Sequence, residues 1–129
     1  MIRHGILNPQ INSLVGRVRH TNTLVIADRG FPFWPEIETV DISLVDDVPT
    51  VLEVLRAIRS NFAVGRAWMA REFIKSNSPK TRSTFAEGLR DIAMKYEPHV
   101  QFKRRVPGAI GLIRTGDTIQ YANIILESA

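Results

Sequence analysis

The sequence has no cysteine and no long apolar run. The absence of cysteine from its 129 residues excludes disulfides, thiolate metal sites and cysteine nucleophiles. No apolar segment approaches the ~18 residues that a membrane-spanning helix requires. The opening segment, MIRHGILNPQ, lacks the apolar core of a secretory signal peptide. We therefore expect a cytoplasmic protein without a membrane segment.

Positive charge is present but is not concentrated. The chain has 17 Lys and Arg residues against 13 Asp and Glu residues, a formal net charge of +4. Lys103, Arg104 and Arg105 form the only tight basic run, and most of the other arginines are scattered among apolar residues. Nucleic-acid-binding domains of this size usually carry a dense basic stripe or a recognisable module. Nucleic acid is therefore not an expected partner.

The sequence also lacks the motifs that hold common cofactors. It contains no glycine-rich dinucleotide fingerprint, no phosphate-binding loop and no serine nucleophile elbow. Its three histidines, His4, His20 and His99, include no pair at i, i+4 spacing, which makes a zinc site unexpected. We expect neither a cofactor nor a metal.

Composition and periodicity predict one α/β domain. Hydrophobic residues make up 44% and charged residues 23% of the chain, as in ordinary globular proteins, and the length allows a single domain over residues 1–129. Asn8 and Pro9 are typical of a helix start, which predicts a helix from Asn8 to Arg19. The β-branched apolar run Thr23–Ala27 predicts a strand buried on both faces.

The remaining elements follow from the same patterns. Strands are predicted at Thr39–Leu44, Val64–Ala70, Ala109–Arg114 and Tyr121–Leu126; helices are predicted after Pro49, with Val51, Leu55 and Ile58 on one face, and from Ser78, with Phe85, Leu89, Ile92 and Ala93 buried. Alternating strands and helices predict a three-layer sandwich, in which a mixed or mostly parallel central sheet carries helices on both faces.

Two polar residues flank the first predicted strand. Asp28 follows it directly, at the carboxyl end where open α/β sheets collect ligands, although an Asp close to Gly30 is also common in turns. His20 precedes the strand, where a helix dipole would favour a cation without any further role. The two side chains would converge if the first helix packed back beside the carboxyl end of the strand.

A third polar group lies near the end of the chain. On a strand, Tyr121 and Asn123 would face the same side and Ala122 the other. An aromatic face with a hydroxyl, next to an amide, suits a polyhydroxylated ligand. The alternative is an aromatic residue at the edge of the core beside an Asn that caps a turn.

These segments together resemble the family of D-ribose pyranases and L-fucose mutarotases. The resemblance rests on HGILNPQI, GRVRHTNTLVIADRGFP, TVDISLVDDVP and IRTGDTIQYANIIL, and runs nearly from end to end of the chain. It implies that His20 is the catalytic histidine and that Asp28, Tyr121, Ala122 and Asn123 bind the sugar. His99, in EPHVQFK, resembles a histidine of the ribose-type members; it favours that type and is expected to help bind and orient the sugar.

The resemblance implies an isomerase that interconverts ring forms of a free aldose by general acid–base catalysis, with D-ribose the first candidate. The alternatives are an L-fucose-type mutarotase and a non-catalytic sugar-binding or regulatory protein on the same fold. The resemblance also implies a homo-oligomer of two stacked pentamers, with sites near subunit boundaries. The chain departs from the family pattern at Arg29 and in the loop GFPFWP.

The aromatic loop has two possible roles. Its prolines restrict the backbone around Phe33 and Trp34, so the rings are able either to stack on a sugar or to fill a subunit contact. We expect this loop and the apolar terminal strand to leave surface that self-association covers.

Overall fold

The computed structural model, which describes residues 1–129, contains six strands and five α-helices. The strands are β1 Thr23–Ala27, β2 Glu38–Asp41, β3 Val64–Ala70, β4 Ala93–Glu97, β5 Gly111–Arg114 and β6 Ile124–Ser128. The helices are α1 Pro9–Gly16, α2 Val51–Arg59, α3 Arg71–Ser76, α4 Pro79–Gly88 and α5 His99–Arg105. None of them is long and apolar enough to span a membrane.

The strands form one mixed sheet in the order β2-β5-β1-β6-β3-β4. Strand β6 runs antiparallel to its neighbours β1 and β3, whereas the β1–β5, β2–β5 and β3–β4 pairs are parallel. The carboxyl ends of the five other strands and the start of β6 therefore lie along one side of the sheet, which we call its carboxyl edge. The predicted α/β class and mixed sheet are confirmed.

Two apolar clusters cover the two faces of the sheet, which gives three layers. On one face, α1, α2, α3 and α4 pack against side chains such as Leu24, Ile26 and Leu126. On the other face, α5 contributes Phe102, which packs with Val25 and further residues of the sheet. The alternation along β1 explains the division, because successive side chains of a strand point to opposite faces.

Local signals fix the starts of the helices. The Asn8 side chain accepts a hydrogen bond from the Ile11 N–H (2.9 Å), and Pro9 occupies the first turn of α1. At α2, Thr50 and Glu53 form a reciprocal capping box. Such caps satisfy N–H groups that have no partner within the helix.

Several predicted boundaries are wrong. Helix α1 ends at Gly16 and not at Arg19, and β6 begins at Ile124 because Tyr121 adopts a left-handed turn conformation (φ 57°). Ala93 is exposed on the edge strand β4 and does not belong to the buried stripe of a helix. Helices α3 and α5 and strand β4 were not predicted.

Candidate active site

The carboxyl edge of the sheet brings polar residues together from distant parts of the chain. Asp28 directly follows β1. Strand β5 pairs with β1 in parallel, so the segment that follows β5, from Thr115 onward, leaves the sheet beside Asp28. Asn123 directly precedes the antiparallel strand β6, so it lies at the same edge. Because β4 runs parallel to β1 in this sheet, His99, which starts α5 after β4, also lies there.

Asn123 holds the loop that carries Asp28. Its side chain is 3% exposed, and its Oδ1 accepts a hydrogen bond from the Asp28 N–H at 2.8 Å. Asp28 in turn uses Oδ1 to accept the Gly30 N–H at 2.9 Å, which closes a tight turn after the strand. The Asp28 carboxylate is therefore held at a defined place, half-buried at the end of β1.

Burial raises the pKa of the Asp28 carboxyl above its ordinary value. Loss of hydration is the largest cause, and the negative charge of nearby Asp117 acts in the same direction. Hydrogen bonds from the Gly30 backbone and the Asn123 side chain oppose this increase because they stabilise the ionised form. Asp28 is thus a more basic acceptor than a surface carboxylate.

Aromatic rings surround the His99 side chain. Its ring meets Tyr121 edge-on at 5.1 Å between centroids, meets Phe31 edge-on at 6.2 Å, and stacks on Phe102 at 6.0 Å. The His99 backbone N–H donates to the Glu72 carboxylate at 3.0 Å, which fixes the start of α5. The imidazole Nδ1 is buried and has no hydrogen-bond partner within the chain.

This environment lowers the pKa of His99 below the usual histidine value. Burial is the largest cause, and the positive charge of Lys103 adds to it, whereas Glu72 and Asp28 act in the opposite direction. The imidazole is therefore neutral near pH 7, when it offers one donor and one acceptor nitrogen.

A cavity of about 430 Å³ lies between these groups. Its lining includes Asp28, His99, Tyr121 and Asn123, and its volume is in the lower part of the range for small-ligand sites. A larger cavity of about 730 Å³ lies between α2 and α4. We locate the site at the smaller cavity because only there do carboxylate, imidazole, phenol and amide groups converge.

The structure separates two predicted site residues from this cavity. Ala122 is fully buried in the main apolar cluster and does not line the cavity. Tyr121 and Asn123 do face the cavity with Ala122 turned away, but the cause is a turn and not the predicted strand.

His20 lies at the opposite end of β1 from Asp28, on the side of the sheet where the five parallel strands begin. It is exposed, and the next two residues, Thr21 and Asn22, exchange backbone hydrogen bonds with Ser128 at the end of β6. The five residues of β1 separate this edge from Asp28, a distance of about 16 Å at the usual rise per residue. The condition under which His20 and Asp28 would converge is therefore not met within one chain.

The aromatic loop contributes to the cavity only at its start. Phe31 is buried against α5, and Phe31 and Pro32 line the cavity. Trp34 lies outside the lining and packs against the second apolar cluster, 6.4 Å from Phe31, while Phe33 is 69% exposed. The proposed stacking of Trp34 on a sugar is therefore not supported within one chain.

Several lining residues were missed by the sequence analysis, namely Arg29, Phe31, Pro32, Asp117, Thr118, Ile119 and Gln120. A signal for part of this set existed. Once the strand ending at Arg114 is paired in parallel with the strand ending at Ala27, the residues that follow both strands share one edge.

An α/β sandwich with a polar cavity at the carboxyl edge of its sheet defines a class of domain that binds small ligands. The model of the RbsD / FucU transport protein family matches residues 1–129. The chain therefore belongs to the RbsD/FucU family.

Relatives of established name are similar over almost the whole chain. D-ribose pyranase of Geobacillus thermodenitrificans is 37% identical over 99% of this chain and 96% of its own length. D-ribose pyranase of Geobacillus kaustophilus is 38% identical over 99% and 93%. The solved structure of Bacillus subtilis RbsD complexed with D-ribose superposes with a TM-score of 0.93 at 29% identity, and the match covers 100% of this chain and 98% of that one.

Proposed function

We propose that this protein is an isomerase that interconverts ring forms of a free aldose, with the pyranose and furanose forms of D-ribose as its foremost substrate. One observation carries the proposal: Asp28, His99, Tyr121 and Asn123 converge on one cavity in a chain of the RbsD/FucU family. The names of the pyranase relatives and the ribose bound to RbsD support this choice of sugar.

The cavity is suited to a small neutral polyol. Asp28 accepts hydrogen bonds from hydroxyl groups, and the neutral His99 ring and the Tyr121 hydroxyl are each able to donate or accept one. The faces of Phe31 and Tyr121 supply apolar contact for the carbon skeleton of a sugar. Asn123 acts chiefly by holding Asp28 in place.

Ring interconversion requires no catalytic chemistry beyond proton transfer to and from the sugar oxygens. The anomeric hydroxyl gives its proton to a base, the bond between C1 and the ring oxygen breaks, and that oxygen takes up a proton, which leaves the open-chain aldehyde. A different hydroxyl, or the other face of the aldehyde, then closes the ring in reverse. One positioned acid–base group contributes about 10²–10⁴-fold to such a step. In this proposal His20 is that group, and Asp28, His99 and Tyr121 orient the sugar.

His20 reaches this cavity only from a second copy of the chain. Within one chain it stands at the opposite edge of the sheet, exposed to solvent. In an assembly, the exposed His20 of one copy covers the cavity mouth of its neighbour and completes the site. The family resemblance suggests two stacked pentamers for this homo-oligomer.

Magnetisation transfer between the anomeric proton signals of ribose tests the proposal. We expect the protein to accelerate exchange between pyranose and furanose signals, and the variant His20→Gln to abolish this acceleration while ribose still binds. L-Fucose, measured in parallel, identifies a fucose-type mutarotase if its anomers exchange faster than the ribose forms. No acceleration with either sugar would contradict the proposal.

The position of His20 favours one second candidate, a sugar-binding protein without catalysis. A single chain retains the cavity and Asp28, but His99 is the only histidine that lines this cavity. Line broadening of the ribose signals without exchange between ring forms would identify this function.

A further inference from the structure

Asp117 lies against the cavity, but both of its carboxylate oxygens are used within the protein. The residue is 1% exposed. Its Oδ2 accepts the N–H of Val51, the first residue of α2, at 2.9 Å, and its Oδ1 accepts the N–H of Ile119 at 2.8 Å. A buried carboxylate with two backbone donors and a helix N-terminus beside it is well compensated. A direct role in sugar binding is therefore not what its position suggests.

The same residue connects the strands that end at the cavity. The Asp117 carbonyl accepts the Arg29 N–H at 3.1 Å, next to Asp28. The Thr115 hydroxyl accepts the Asp117 N–H at 3.1 Å and donates to the Ala27 carbonyl at 2.8 Å. Asp117 thus ties the start of α2, the loop after β1 and the segment that leads to Tyr121.

We propose that Asp117 is a positioning residue of the active site, which fixes the segment carrying Tyr121 relative to Asp28 and sets the charge environment of the Asp28 carboxylate. The inference deepens the proposed function, on which its kinetic part rests. Its geometric part rests on the hydrogen bonds alone.

Asp117 is the main charged neighbour of Asp28, because the arginines nearby are paired with other groups. The Arg29 guanidinium is turned to Asp46, at 2.8 Å, and Arg114 interacts with Asp41 and with backbone carbonyls of the loop after β1. His99 faces the same cavity but is neutral near pH 7. The Asp117 charge adds to burial in raising the pKa of Asp28, so its removal should lower that pKa.

Asp47, in the loop between β2 and α2, provides a matched control because it binds the same segment. Its Oδ1 accepts the Thr118 N–H at 2.9 Å and the Thr118 hydroxyl at 2.8 Å, so it also holds the residues after Asp117. It is exposed, it does not line the cavity, and it is not among the causes of the pKa shift of Asp28. Asp47→Asn therefore removes an equal charge from a side chain bonded to the same segment, at a position that is not among the causes of the Asp28 pKa shift.

The experiment compares Asp117→Asn, Asp47→Asn and the unaltered protein by three measurements. These are the NMR titration of the labelled Asp28 carboxyl carbon, the Kd of ribose, and kcat and KM for ring exchange. For Asp117→Asn we expect a lower titration midpoint for Asp28, weaker ribose binding and a kcat/KM reduced at least about tenfold, because small misplacements in an active site are costly. Asp47→Asn should leave all three within about twofold of the unaltered protein.

A folded Asp117→Asn variant with unchanged Asp28 titration and ribose affinity would overturn the inference. If that variant does not fold, Asp117→Glu decides, since it keeps the charge but lengthens the side chain. We expect Asp117→Glu to preserve the Asp28 midpoint and raise the KM, and an unchanged KM would equally overturn the inference. If the unaltered protein shows no ring exchange, the proposed function fails, while the titration still decides the role of Asp117.

Discussion

At the cavity, burial moves the pKa values of two neighbouring residues in opposite directions. It penalises the charged form of each group, so the Asp28 carboxyl becomes a weaker acid and the His99 imidazole a weaker base. The pKa of Asp28 thereby moves towards neutral pH, whereas the pKa of His99 moves further below it, so the imidazole is uncharged near pH 7. The same cause therefore gives the site a basic carboxylate and an uncharged imidazole.

The lowered pKa of His99 predicts how stability depends on pH. As pH falls below the ordinary histidine pKa of about 6.5, the unfolded chain binds a proton that the folded protein binds less readily. The folded state is then disfavoured, so the free energy of unfolding falls between that pH and the lower folded pKa. Replacement by Phe keeps a ring in the aromatic cluster but removes the titration.

We therefore expect urea unfolding near pH 7.5 and near pH 5.5 to show a smaller loss of stability for His99→Phe than for the unaltered protein. The comparison between the two proteins cancels the contributions of groups that they share. An equal loss in both would mean that His99 titrates alike in the folded and unfolded chains.

At the scale of single elements, strands with continuous apolar sequence were predictable to the residue. The Thr23–Ala27 strand has the predicted bounds, because a β-branched apolar run buried on both faces leaves few alternatives. The Val64–Ala70 strand also has the predicted bounds, although the exposed Gly65 and Arg66 interrupt its apolar sequence. Strand β4 was missed since it is an edge strand, where Lys95 is exposed and Tyr96 only half-buried. Helix α5 was missed because its seven residues are too few for a helical period to show.

The candidate site was predictable only in part, for similar reasons. The position of Asp28 follows from the end of a recognisable strand. The separation of His20 from Asp28 follows from the same strand, since the five residues of β1 hold its two ends about 16 Å apart however the first helix packs. Asp117 serves the site through backbone hydrogen bonds, and such contacts are fixed by the tertiary structure and leave no sequence pattern.

The close approach of α1 to the sheet depends on Gly111, at the start of β5. A Cβ added there would lie 2.5 Å from Leu14 Cδ1 and 3.0 Å from the Glu38 carbonyl oxygen. Leu14 is fully buried and the carbonyl belongs to the neighbouring strand, so neither moves freely. Gly111→Ala should therefore cost about 1–3 kcal/mol of folding free energy, as overpacked core substitutions do.

Gly108 is the matched control, since a Cβ at that position would meet nothing within 4 Å. We expect Gly108→Ala to change the unfolding free energy by no more than about 1 kcal/mol. The two variants are compared by urea unfolding. Equal stability of the two would show that α1 shifts to accommodate the added methyl group.

At the scale of the whole molecule, the surface available for self-association differs from the one expected. The terminal strand β6 lies in the middle of the sheet and is largely buried, and Phe31 is buried too. Exposed apolar side chains occur at Leu44, Val45 and Val48, and Phe33 is the exposed member of the expected aromatic loop. Assembly itself stays a prediction, and its reason is now the incomplete site of a single chain.

A site shared between copies and a site within one chain predict different activities for oligomers that contain two variants. His20→Gln and Asp28→Asn should each abolish ring exchange when every copy carries the change. In oligomers assembled from an equal mixture of the two variants, a shared site receives both native residues by chance in about a quarter of cases. The mixture should therefore recover about a quarter of the native exchange rate, measured by magnetisation transfer on ribose after joint refolding.

The two variants refolded separately and then combined without subunit exchange are the control, and they should stay inactive. If His20 acted on Asp28 of its own chain, no mixture would contain an intact site, and the mixed oligomers would be as inactive as either variant alone.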